Sequence, residues 1–145
     1  MYAVHPITIH LPLGLLLASS LFSLISLRRG ERAWETSAYH CLIVGWIIGV
    51  IALVSGTIDA LRQLVGPDVP RNNAMIGWVN AHAFLNLAVI AIYGQALLLR
   101  RRHPGILDDA AVRGGYLARH AVGALLLIIG GWTGGHLVYT LGLGR

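Results

Sequence analysis

The sequence predicts an all-α integral membrane protein, a four-helix bundle with both termini on the outer side. Three observations predict it. The chain is 56% hydrophobic and only 12% charged, with a mean hydropathy of +0.68, whereas a soluble domain carries about twice that charge. Four apolar runs are long enough to cross a bilayer as helices, which takes roughly 20 residues each. The arginines fall almost wholly in the short stretches between those runs. The 145 residues make one domain.

The spans run over about 6–27, 36–64, 76–99 and 116–141. None alternates polar and apolar residues, so each reads as a helix, which satisfies its own backbone in lipid. The first opens on "HPITIHLPLG". Pro6 suits a first helical position, and Pro12 predicts a slight kink that frees a carbonyl beside His10. No positive residue precedes this run, while Arg28, Arg29 and Arg32 follow it, so it reads as a retained helix and not a cleaved leader. The connections "RRGERAWE", "RQLVGPDVPRNNAM" and "RRRHPGILDDAAVRGG" are rich in Arg, Gly, Pro and Asp, as linkers are. The lone Cys41 lies inside an apolar run and allows no intrachain disulfide.

All eleven basic residues are arginines. Arg28, Arg29, Arg32, Arg100, Arg101, Arg102 and Arg113 belong to the first and third connections, with Arg119 just inside the fourth span, against Arg62, Arg71 and Arg145 on the other side. The positive-inside rule places the first side in the cytoplasm. Trp34, Tyr39 and Tyr116 then mark the inner interface, and Trp78 and Tyr139 the outer one. Arginines confined to helix ends indicate topology and not nucleic-acid binding. The partner is the lipid bilayer.

Ionisable residues inside a membrane normally face the bundle interior. His10, Asp59, His82 and His136 fall at a similar depth, about 6–9 Å below the outer interface at ~1.5 Å per residue. His40 and His120 form an inner layer, and His103 lies in a connection. At ~100° per residue, His10, Gly14, Leu17 and Leu21 share one face, and His82, Asn86, Val89 and Tyr93 another. His120, Gly123, Gly131 and Gly134 follow one line, with His136 nearly opposite. The glycines of "GGWTGG" and the pair Gly45/Gly49 read either as tight helix packing or as room for a flat macrocycle.

The sequence resembles the small four-helix bacterial membrane proteins grouped as domain of unknown function 2231. The resemblance covers nearly the whole chain and rests on "HPITIHLPLG", "GTIDAL", "AHAFLN" and "GWTGGHLVYTLGLG". It implies a multi-pass protein of the bacterial cytoplasmic membrane, with His5, His10, Asp59, His82 and the terminal Gly-Gly/Leu-Val-Tyr segment in the shared pattern. His40, Arg119, His120 and His136 lie outside that pattern. Relatives joined to iron–sulfur domains of the Rieske type point towards electron transfer.

Three functions compete. The first is a b-type cytochrome with one or two haems, each held by two imidazoles from facing helices. His10/His82 and His40/His120 are the pairs, His136 is a substitute ligand, and Arg119, Arg102, Arg113, Arg62 or Arg71 could pair with propionates. A quinone or a respiratory protein would be its partner. The second is a zinc or non-haem iron site using His10, His82 and Asp59. The third is a cofactor-free accessory or assembly subunit of a respiratory complex. Asp59 is expected to need a partner, with His82 and His136 the first choices, and His5 reads as a cap or a supporting contact. No nucleophile, P-loop or dinucleotide motif appears, so catalysis is left open. Self-association is open too.

Overall fold

The structure, a computed structural model, describes residues 5–64 and 73–143, with positions 6 and 7 described through the backbone alone. The elements are α1 (His5–Thr8), α2 (His10–Arg29), α3 (Arg32–Leu64), α4 (Asn73–Arg102) and α5 (Ala110–Gly135), which continues as a π-helical turn over His136–Thr140. The four long helices, the last counted through Thr140, are long and apolar enough to span a membrane. Among the described residues there is no strand. The helices pack as two antiparallel hairpins, α2 with α3 and α4 with α5, and α3–α4 and α2–α5 contacts close the bundle. Arg71, Arg145 and most of the "GPDVPRNN" connection lie outside the described residues.

Local chemistry explains the breaks. The first segment is not one helix: it bends at Ile9, between α1 and α2. Pro12 has no N–H for the carbonyl of Thr8, and its ring crowds that carbonyl, so the helical ladder cannot run straight through. Gly30 ends α2 in the left-handed conformation (φ 71°) and donates its N–H to Ser26 O at 2.7 Å, the usual glycine C-cap. Asp109 caps α5, its carboxylate accepting from Ala111 N at 2.9 Å. The third connection is more than a polar linker. Ile106 (0% exposed) and Leu107 fold back beneath the helices and join the core.

The helices are apolar all round, as lipid requires. Phe84 is 69% exposed and Leu125 58%. Lipid removes the hydrophobic drive for helix association, so small residues and interhelical hydrogen bonds take over. A Cβ on Gly49 would lie 2.7 Å from Ile90 Cδ1, and one on Gly94 would meet the Trp46 indole at 3.0 Å. Trp46 Nε1 donates to Ile90 O at 2.9 Å, joining α3 to α4. Gly49 and Gly94 are therefore packing positions. Tyr116 is not an interfacial belt residue: it is 2% exposed and sits in the core cluster with Leu16, Leu42 and Tyr93.

Candidate functional site

Two polar clusters lie within the bundle, one near each end. The first is at the Asp59 end. Asp59, in the penultimate turn of α3, is buried and accepts the backbone N–H of His5 at 3.0 Å. The His5 ring directs Nδ1 at Ala52 O (2.9 Å). Thr8 Oγ1 donates to His5 O at 2.9 Å and lies 3.1 Å from Ser55 Oγ, which donates in turn to Ala52 O. A Cβ on Gly56 would strike the His5 ring at 2.8 Å, so this glycine makes the seat for the imidazole. Burial pushes the His5 imidazole below its usual pKa, while the hydrogen bond to Ala52 and the Asp59 charge pull it back up.

The edge of the His5 ring meets His82 on α4, with centroids 6.3 Å apart and planes at 80°. His82 is held on both nitrogens. Thr133 Oγ1 donates to Gly130 O at 2.9 Å. Both of these oxygens are therefore acceptors towards His82 Nδ1, at 3.0 and 3.1 Å, which places the proton on Nδ1. Nε2 faces the Asn86 amide at 3.2 Å, and the same amide nitrogen donates to His82 O at 2.8 Å. A Cβ on Gly134 would lie 3.0 Å from the ring.

The second cluster is in the half nearer the arginine-bearing connections. His120, 3% exposed, has Nδ1 3.0 Å from Ser20 Oγ. Ser20 donates to Leu16 O (3.1 Å) and lies 2.9 Å from the Tyr93 hydroxyl. A serine has one proton to give, so with that proton on Leu16 O it accepts from both Tyr93 and His120 Nδ1–H. His120 Nε2 is then a bare lone pair, and it is buried without a hydrogen-bond partner. The ring is packed edge-on by Tyr116 (4.5 Å) and Tyr93 (5.6 Å). Tyr116 lies in the field of Glu35 and Arg100, which form an ion pair at 3.0 Å. Arg100 also sits 5.0 Å over the Tyr39 ring.

A family described as "Predicted membrane protein (DUF2231)" matches residues 1–145. The chain belongs to this family. No curated protein and no solved structure matches this DUF2231 member.

In this DUF2231 chain the expected ligand pairs part company. Of the line His10, Gly14, Leu17 and Leu21, all but Leu17 are exposed on the outside of α2, while His82 points into the bundle. His40 is likewise exposed and stacks along Tyr39 at 6.3 Å, while His120 is enclosed. His136 packs with Trp78 (4.5 Å) and Trp132 (5.8 Å). Arg119 bonds to Gln95 Oε1 and Gly115 O, and Arg113 to Leu107 O. The space that a macrocycle would take beside the glycines is filled: the Tyr93 ring covers Gly123 at 2.8 Å and His82 covers Gly134. These residues do not fit a haem held between His10 and His82 or between His40 and His120. Among the described residues no three of His, Cys, Asp and Glu group as metal ligands.

Asp59 is thus joined to His5, and reaches the His82 neighbourhood through the His5 ring. Sequence reasoning missed Thr8, Ser55, Thr133, Ser20 and the Glu35–Arg100 pair. One signal was available. Ser19, Ser20, Ser23 and Ser26 recur within an otherwise apolar span at helical spacing, and all four are buried.

Proposed function

We propose that this protein is a cofactor-free accessory subunit of a membrane electron-transfer assembly, working through a proton-exchanging cluster at its Asp59 end. One observation carries the reading: Asp59, His5 and His82, from three helices, converge there, with imidazoles engaged by protein groups and not paired as axial ligands. A carboxylate at this depth is costly when ionised and alone. The His5 N–H and the adjoining imidazole lower that cost and give the carboxyl proton-exchanging neighbours. The arginine count puts this end on the outer side of a bacterial cytoplasmic membrane. The electron-transfer setting is the one the family resemblance implies. A quinone-reactive or respiratory protein is the partner class, because quinone chemistry moves protons along with electrons.

The test is a visible spectrum of the chain purified after expression with ample haem, oxidised and then reduced, together with infrared titration of the carboxyl band. The expected result is no haem bands, and a protonated-carboxyl band that titrates with outer pH and is lost in Asp59→Asn. Reduced-state haem bands that vanish in His82→Ala or His120→Ala would overturn the proposal and restore the cytochrome. A carboxyl band indifferent to pH would remove the proton role.

A further inference from the structure

The bundle's second cluster carries chemistry that the Asp59 end does not use. At the arginine end, a cleft of about 250 Å³ is lined by Ser26, Gly30, Arg32, Glu35, Asp108 and Arg113. That is room for several waters at ~30 Å³ each. Glu35 stands in its wall and pairs with Arg100. Next inward is Tyr116, in the field of that pair and with its ring 4.5 Å from the His120 ring. Ser23 Oγ donates to Ser19 O at 2.9 Å. Beyond these lie two buried polar atoms without a hydrogen-bond partner, Ser19 Oγ and His120 Nε2. On its other nitrogen His120 is held by Ser20, which also meets the Tyr93 hydroxyl.

We propose that this cleft, with Tyr116 and the His120 imidazole behind it, forms a proton path that opens only at the arginine end and terminates at His120. A buried basic lone pair is a poor structural choice, because an unpaired polar atom in a dry interior costs about 1–3 kcal/mol. It is a good terminus. A proton arriving from water in the cleft adds to Nε2 and gives an imidazolium whose Nδ1–H stays on Ser20 Oγ. The proton leaves by the same route, and no other bond changes. The groups facing His120 are Ser20 of α2, Tyr93 of α4 and Tyr116 of α5, with the Glu35–Arg100 pair beyond Tyr116. None of them is a fixed counter-charge in direct contact. On the far side, Leu16, Val89 and Leu127 are 1%, 2% and 7% exposed. Asn86, the nearest polar side chain of α4 towards the Asp59 end, lies two turns from Tyr93, about 10 Å along the axis. The two clusters are therefore separate half-sites. The path rests on different residues from the Asp59-end reading, and either can fail alone.

The experiment uses the folded chain in lipid nanodiscs with ¹⁵N-labelled histidine, in a Cys41→Ser, Leu27→Cys background. Leu27 lines the cleft and is 39% exposed, so a bulky maleimide there plugs the mouth after folding. Exchange of protons between water and His120 Nε2 is followed through the line width of its ¹⁵N resonance, because the Nδ1 proton stays in place. Plugging is expected to slow it by at least about tenfold, as is Tyr116→Phe, with His82 exchange unchanged. Asp59→Asn is expected to leave His120 exchange as it was. Exchange that ignores the plug, or that ignores Tyr116→Phe, overturns the path. A His120 rate that falls in Asp59→Asn overturns the one-sided opening.

Discussion

The backbone N–H of His5 lies 3.0 Å from the Asp59 carboxylate and ties α1 to the end of α3. Removing the acceptor leaves a half-buried N–H without its partner. Asp59→Ala is expected to destabilise the docking of α1 by about 1–3 kcal/mol. Asp59→Asn keeps an acceptor oxygen and should lose less than half of that. Thermal unfolding in detergent, with proteolysis of the first residues as a local readout, separates the two variants. Equal loss in both would mean that charge, and not the hydrogen bond, does the holding.

His5 also sets a pH dependence. Burial holds its folded-state pKa below the ordinary 6.5. The unfolded chain then binds more protons than the folded one, so the stability tied to neutral His5 is present above pH 6.5 and is lost as pH falls below it. The melting temperature should drop on acidification below that point, with a shallower drop in His5→Gln. Identical slopes would remove His5 from the account.

Two glycines in one bundle should respond in opposite directions. A Cβ on Gly123 would lie 2.8 Å from the Tyr93 ring, and that ring is fully buried and tied to Ser20. It cannot swing away, so Gly123→Ala should cost about 1–3 kcal/mol. Gly14 is exposed, and a methyl added there would meet nothing within 4 Å. Gly14→Ala should be neutral or stabilising, by up to ~1 kcal/mol of helix propensity. Unfolding midpoints of the two variants decide it.

How much of this was legible in the sequence follows from what lipid does to a helix. The four long helices were readable because apolar length alone predicts them. The line through His82, Asn86, Val89 and Tyr93 does face inward, with Val89 and Tyr93 in the core. The line through His10, Gly14, Leu17 and Leu21 looked equivalent, yet all but Leu17, which packs against the core, face outward. Periodicity identifies a face, but in a helix that is apolar all round it carries no inward direction. His5 was expected as a cap or a supporting contact from its place just before the first span, and its contacts with Asp59 and Ala52 join residues too far apart in sequence to be read there. The Ser20–His120–Tyr93 junction was not readable either, because it joins three helices far apart in sequence. The same holds for Glu35 and Arg100, each of which reads alone as an interfacial charge.

Sidedness is checked by fusion reporters. The arginine split expects a reporter that works only outside the membrane to be active after Arg145 and silent when inserted near His103. The reverse pattern would turn the bundle over and open the His120 path to the outside.

The Glu35–Arg100 pair gives the sharpest stability test. The two groups are 3.0 Å apart, with side chains only 11% and 13% exposed. Arg100→Met leaves Glu35 enclosed without its counter-charge, and breaking a buried pair costs about 3–5 kcal/mol. Some surface remains on both partners and the cleft brings water to Glu35, so the lower figure of that range is expected. Replacing both removes the stranded charge: the double variant Glu35→Leu, Arg100→Met should recover most of the loss, because well-packed apolar side chains match a buried ion pair in stability. The cycle separates two roles. If the pair only holds α3 to α4, the double variant should behave as wild type in every respect. If it also feeds protons towards Tyr116, the double variant should fold with near-normal stability and still show slowed exchange at His120. A double variant no more stable than Arg100→Met alone would mean that the guanidinium acts mainly through its packing on Tyr39, and not through Glu35.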